Sequence, residues 1–262
     1  MLLGIDHVVL AVDDPDATAE RLEAELGLHA TGGGRHEALG TFNRLIWLGD
    51  TYLELVGVFD RDLAAENWLG RPVLSSLEGG GGLVTWAIAV EDLDGHLRWA
   101  PGEGRFIGPI DGERRRPDRR VVRWRLAYPP DLGPALPFVI EHDLTGAEWT
   151  SDERAARAAE EHPVGSRVRL AGLEILVESP PVAAGRIRSL LATSVEPDGR
   201  RAVRVVVGAQ AVRFAMPGDD SGPPATVDLL AEAPGKRRTS RVGDCEIRLR
   251  RPRPDRGAVR GD

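Results

Sequence analysis

One short stretch limits the folds open to this chain more than any other. Residues 5–12, IDHVVLAV, read as a strand, and DDPDATAERLEAELGL follows at once as a helix. Strand side chains alternate, so Ile5, His7, Val9 and Ala11 share one face and Asp6, Val8, Leu10 and Val12 share the other. Asp13 or Asp14 caps the helix, Pro15 occupies its first turn, and Ala19, Leu22, Leu26 and Leu28 recur near helical spacing. A helix joined this tightly to a strand folds back over it. It covers the face with Val8, Leu10 and Val12, so His7 is expected on the open face.

The junction occurs twice. AVDDPDA at 11–17 matches AVEDLDG at 89–95, an offset of 78 that sets His7 opposite Thr85. The first copy continues into strands at 42–48 (FNRLIWL) and 52–58 (YLELVGV), with a Gly49-Asp50 turn between them. The second begins with a strand at 83–90 and a helix start at 91–99 weakened by Gly95. Strands at 119–127 and 137–143 follow. YLELV at 52–56 matches VIEHD at 139–143 at an offset of 87, which sets Glu54 opposite Glu141 and implies nine inserted residues around 102–118. Repeats of this length are duplicated sheet-plus-helix units. Each leaves one sheet face open, and two such units clasped together enclose a cavity, where a site is expected.

A weaker third echo follows: a strand at 168–177, a helix from Ser179 and Pro180, and strands at 203–207, 211–214, 226–230 and 246–249. Residues 150–161 read as a polar, alanine-rich helix capped by Thr150 or Ser151. The expected division is a two-module domain over 1–145 (modules 1–60 and 83–144, linker 61–82), a helical connector over 146–165, a third module-like unit over 166–250, and a disordered tail over 251–262. An unpaired third unit must pack on the cup or on its twin in a homodimer.

With 42% hydrophobic and 29% charged residues in 262, the chain reads as a soluble globular protein. No apolar run approaches ~18 residues, and no basic-plus-apolar leader follows Met1, so no membrane partner and a cytoplasmic location are expected. Cys245 is the single cysteine, which suits a reducing compartment, and no matched histidine marks it as a nucleophile. A net charge of −7 argues against a nucleic-acid partner, and the arginine run 114–116 with Arg119 and Arg120 is expected to be a solvated loop.

The stretch IDHVVLAVDDPDATAERLEAELGL, with GGRHEALGTFNRLIWLGDTYLELVGV after it and RVVRWRLA and LPFVIEHD in the second unit, resembles the glyoxalase-like branch of the vicinal oxygen chelate superfamily over residues 3–145. The resemblance implies an α+β fold: paired βαβββ modules in a cup-shaped open barrel. In metal-using members a divalent ion sits in the cup on residues from the first and last strands of each module. Carried over, those positions give His7, Glu54, Thr85 and Glu141; three suit a metal and Thr85 does not. His7, Glu54 and Glu141 would serve Zn, Fe, Mn or Ni, with Glu141 also shuttling a proton.

Other residues are weighed by strand register. Arg123 and Arg125 alternate with Val122, Trp124 and Leu126; if the apolar set faces the helices, both arginines face the cup and suit an anionic group of the substrate. Arg44 is their counterpart in the first module. The glycines of TGGGRH are expected to form a tight turn that leaves His36, with Asn43, at the pocket mouth. Trp86 is expected in the core, and His142 and Asp143 at a solvated strand end. Two functions fit: binding a small oxygenated molecule in the cup and acting on it with a divalent metal, as a lyase, isomerase or dioxygenase would, or metal-free binding and sequestration of a small molecule.

Overall fold

The computed structural model describes residues 1–99, 106–218 and 222–252; the expected disordered tail lies outside the described residues beyond Pro252. The first unit is β1 (Leu2–Ala11), α1 (Pro15–Leu26), β2 (Gly32–His36), β3 (Thr41–Leu48) and β4 (Thr51–Val58). Two short helices, α2 (Arg61–Ala65) and α3 (Gly70–Glu78), form the connection to the second unit. That unit is β5 (Gly82–Val90), α4 (Leu93–Trp99), β6 (Ile107–Arg115), β7 (Val121–Tyr128) and β8 (Phe138–His142). Asp14 caps α1, accepting from the backbone N–H groups of Asp16 and Ala17 at 2.9 and 3.0 Å, and Gly27 ends it in the left-handed region.

The eight strands close into one barrel in the order β1-β4-β3-β2-β6-β7-β8-β5. The cup's open edge is bridged at a single pair, Arg35 and Arg115, between β2 and β6. The two units are related as the repeat implies. β1 and β5 run antiparallel with His7 beside Ala87 and Val9 beside Thr85, so the offset of 78 exchanges the two pairs.

Three elements differ from the sequence reading. Gly32, Gly33 and Gly34 form strand β2 rather than a tight turn, paired antiparallel with Leu45, Arg44 and Asn43 of β3, and a side chain at Gly33 would lie 2.3 Å from the Asn43 carbonyl oxygen. The insertion expected around 102–118 contains strand β6, and Arg114 is buried in it instead of solvated. The last strands align at an offset of 84, not 87. Val9 pairs with Glu54 and its equivalent Ala87 pairs with Phe138, so Phe138 and not Glu141 is the counterpart of Glu54. An error of three residues is odd, and in a strand it turns a side chain to the opposite face.

The rest of the chain builds a second sheet. After α5 (Ser151–Ala159) come β9 (Val168–Leu176), α6 (Pro180–Leu191), β10 (Val195–Pro197), β11 (Ala202–Val207), β12 (Gln210–Ala215), β13 (Ala225–Ala231), β14 (Arg238–Val242) and β15 (Cys245–Arg250). The strand order is β10-β11-β12-β9-β13-β15-β14. β12 runs parallel to β9 and β13 antiparallel to it, as β4 and β5 do beside β1. A third βαβββ unit is therefore followed by three strands of a fourth.

The second sheet's apolar face, with Leu173, Ile175, Val212, Phe214, Val227 and Ile247, joins one core with α1, α6 and the outer face of the barrel. The packing expected of the third unit is thus made within the chain. Backbones meet closely where the β14–β15 turn docks: the Asp244 N–H donates to the Gly81 carbonyl at 3.2 Å, and Gly243 leaves no room for a side chain there. Among the described residues no helix is long and apolar enough to cross a membrane.

Trp86 belongs to this shared core, fully buried, with its indole N–H donating to the Pro134 carbonyl at 3.2 Å. Trp86→Ala is expected to lower unfolding free energy by about 3–5 kcal/mol, read from the urea midpoint at unchanged m-value.

Candidate active site

The barrel interior is a cavity of about 430 Å³. At one end Leu69 and Val73, from the segment around α3, pack against Val9, Val56, Val84 and Ala87. At the other end Trp149, from the segment after β8, packs with Trp47, Tyr52 and Leu45. His7 lies between, stacked on Tyr52 (ring centroids 4.5 Å) and edge-on to Phe138 (5.3 Å).

A β-bulge sets the centre of the site. Ile5 pairs with Ile88 and His7 with Ala87, so β1 carries one extra residue, Asp6, against β5. Asp6 and His7 are consecutive, yet Asp6 contacts the His7 ring and the cavity-lining His142, while Ile5 and Val8 on either side belong to the outer core. Simple alternation had placed Asp6 with Val8. The Asp6 carboxylate is 2% exposed. One oxygen lies 2.5 Å from His7 Nδ1 and the other 2.8 Å from His142 Nε2. Burial alone would raise its pKa, but the facing imidazoles, His142 foremost, outweigh it and hold Asp6 well below the usual carboxylate range. An ionised Asp6 only accepts, so His7 donates to it through Nδ1, and in the neutral ring this leaves the lone pair on Nε2.

That nitrogen faces Glu54, whose Oε2 is 3.6 Å away. Asn43 Nδ2 donates to Glu54 Oε1 at 2.6 Å, and His36 Nε2 lies 3.9 Å from the same oxygen. His36 Nδ1 and Thr41 Oγ1 are 3.0 Å apart. Burial pushes His36 down to about 4; Glu54 opposes this, and Arg114 and His7 reinforce it. Arg114 enters from β6, donates to the Gly33 carbonyl and pairs with Glu148 at 2.5 Å. Burial, with Asp6 and Glu54 nearby, raises the Tyr52 phenol well above its ordinary value.

Of the residues singled out in the sequence, His7, Glu54, His36 and Asn43 converge here. Arg44, Arg123, Arg125 and Glu141 do not. Arg44 turns outward to the Ala30 carbonyl and Asp16. Arg123 lies over Glu113 at 63% exposure. Arg125 is held by Asp94 of α4, and Glu141 sits 3.4 Å from it on the same outer side. The reason is common to the strand residues: Val122, Trp124 and Leu126 line the cavity, so the apolar face points inward and the charged face turns out, Arg125 to Asp94 of α4 and Arg123 to Glu113 of β6. His142 is not solvated; it stacks on Trp149 at 3.6 Å. Asp6, His142, Trp149 and the Arg114–Glu148 pair were not legible as site residues: a bulge turns Asp6 toward His7 and His142, Arg114 comes from strand β6, and the segment after β8 brings Glu148 and Trp149.

The divalent-metal set does not form. By strand pairing the four symmetric positions are His7, Glu54, Thr85 and Phe138, and Thr85 donates its hydroxyl to the Leu136 carbonyl at 3.0 Å. Among the described residues no group of three or more His, Cys, Asp or Glu side chains is placed to hold a metal ion. The residues present do not fit the group.

The sequence model of the glyoxalase-like domain matches residues 5–191. The chain belongs to the glyoxalase-like domain family. That match runs past the barrel through α6, so the family unit includes part of the second sheet. No curated protein matches this chain. A hypothetical protein from Staphylococcus aureus shares the fold at 14% identity and TM-score 0.79, over 96% of this chain and all of the other. A triple mutant of 4-hydroxymandelate synthase from Streptomyces coelicolor superposes at 12% identity and TM-score 0.53, over 88% and 72%. Methylmalonyl-CoA epimerase from Mycobacterium tuberculosis is 23% identical over 53% of this chain and 87% of its own, at TM-score 0.41. The barrel with its second sheet is thus a fold shared with solved structures at low identity.

The low His36 value carries a sign. Its folded pKa, about 4, lies below the unfolded value of 6.5, so between those values the unfolded chain binds more protons and stability falls as pH falls. The slope from this group approaches roughly 1.4 kcal/mol per pH unit. Urea unfolding at pH 7, 6 and 5 is expected to show a shallower decline in His36→Asn than in the wild type.

Proposed function

We propose that the barrel binds a small carbonyl compound and moves a proton at the carbon next to the carbonyl. The observation that carries this is the 2.5 Å contact between Asp6 Oδ1 and His7 Nδ1, with Nε2 left facing the cavity. His7 Nε2 takes the proton as the C–H bond breaks, and its electrons pass to the carbonyl oxygen to form an enolate. The Asp6 carboxylate faces the positive charge that develops on the ring, the role a buried carboxylate plays behind a general-base histidine. His36, kept neutral, donates its Nε2–H to the enolate oxygen in the tautomer in which the Thr41 hydroxyl donates to Nδ1. Return of a proton from His7 to the same carbon, after exchange with solvent, restores the carbonyl compound with that hydrogen exchanged; inversion needs delivery to the opposite face of the enolate. No step passes through a divalent ion, because the donor set does not fit one.

A second reading is a binding protein without turnover. It is favoured by the aromatic and aliphatic lining, which gives affinity without chemistry. A cytoplasmic location is part of either reading.

Deuterium exchange separates the two. In D₂O, the methyl protons of acetophenone or acetylacetone are expected to wash out faster with the protein present, and dialysis against a chelator leaves the rate unchanged. His7→Gln and Asp6→Asn should slow this protein-dependent exchange at least tenfold while binding persists. Exchange at the wild-type rate in His7→Gln would rule out the assigned base.

A further inference from the structure

The cavity has two chemically distinct ends. Beyond His7 and Glu54, Trp68 stacks on Tyr128 (ring centroids 5.0 Å, planes 18° apart) and meets Phe138 edge-on at 5.2 Å. Leu39, Ile110 and Leu126 extend this apolar wall of the cavity. A flat ring lies well against such a wall, where offset or edge-on contact with an exposed aromatic face is favourable.

Charge sorts the candidates further. Glu54, Glu66, Asp111 and Glu113 line the cavity or its rim. Arg114 is the one lysine or arginine among the lining residues, and it is already neutralised by Glu148 at 2.5 Å and bonded to the Gly33 carbonyl. Of the arginines that the sequence offered for an anion, Arg44 and Arg125 are held by Asp16 and Asp94 outside the barrel, and Arg123 by Glu113 at the rim. A carboxylate entering the cavity would lose its water and meet Glu54 with no unpaired lysine or arginine among the described lining residues to compensate, which is costly. Glu54 itself is 6% exposed and held by Asn43, so it cannot swing away without stranding that amide.

We infer that the ligand is an aromatic carbonyl compound without negative charge, its ring packed against the cluster of Trp68, Tyr128 and Phe138 and its oxygen toward His36. This rests on the barrel cavity being the ligand site, as proposed above, and names its substrate class. The inference reverses the expectation of an anionic substrate drawn from the arginine pattern. It also gives Glu54 a part, as the group that excludes anions.

Calorimetric titration with acetophenone, benzyltrimethylammonium and benzoate tests it. The neutral ketone and the cation are expected to bind, and benzoate at least tenfold more weakly than acetophenone. Glu54→Gln, which keeps the contact to Asn43, is expected to narrow that gap to within about threefold. Trp68→Ala, checked for an unchanged circular dichroism spectrum, is expected to weaken acetophenone at least fivefold. Should the Trp68 variant not fold, Tyr128→Leu carries the same expectation. Benzoate binding as tightly as acetophenone, or no binding of acetophenone up to its solubility, overturns the inference. Acetophenone that binds selectively but never exchanges its methyl protons would overturn only the proton-transfer reading.

Discussion

One extra residue in β1 governs the site. Without the bulge at Asp6, strict alternation would send that carboxylate toward the apolar core with Val8, where a lone charge costs several kcal/mol. With it, Asp6 turns to the same side as His7 and is satisfied by two imidazoles. The ring of His7 is then fixed in orientation and tautomer. The neighbouring elements depend on this arrangement: His142 is drawn inward from the end of β8, and Trp149 covers it by stacking. The segment after β8 thereby closes one end of the barrel, while that around α3 closes the other.

The second consequence is inversion of the usual layering. The barrel wall is apolar on both faces: outside, Val8, Leu10, Leu53 and Ile88 join the shared core, and inside, Leu45, Leu126, Phe138 and Ile140 line the cavity. The few polar groups inside must therefore pair with each other, as Asn43 does with Glu54 and Arg114 with Glu148. Strand β7 lies where the outer cover is polar, so its arginines pair with Asp94 and Glu113 on the outside and its aromatic residues face in.

These two facts explain what could be read from the chain and what could not. The strand–helix junctions, the duplicated unit and its 78-residue offset were legible because periodicity and capping are local signals; Asp14, Pro15 and Gly27 mark α1 at both ends. His7, Glu54, His36 and Asn43 were legible because a polar residue within an apolar strand stands out. Asp6 was not, since a bulge leaves no mark in the alternation it interrupts. Arg123 and Arg125 were assigned inward on the premise that apolar residues face helices, which fails in a barrel with an apolar lumen. Glu141 was assigned by an alignment three residues out of register, enough to move it from the lumen to the outer face. The second sheet repeats the pattern of the first with three strands of its last unit, and its charged face, where Glu174 meets Arg213 at 2.6 Å, has no counterpart of His7.

The bond between Asp6 and His7 is accessible to direct measurement. Nitrogen-15 NMR of the imidazoles at neutral pH should show His7 with its proton on Nδ1 and a strongly downfield Nδ1–H resonance that vanishes in Asp6→Asn. A proton on Nε2 of His7, or a Nδ1–H signal that Asp6→Asn leaves unmoved, would contradict the arrangement on which the proposed chemistry rests.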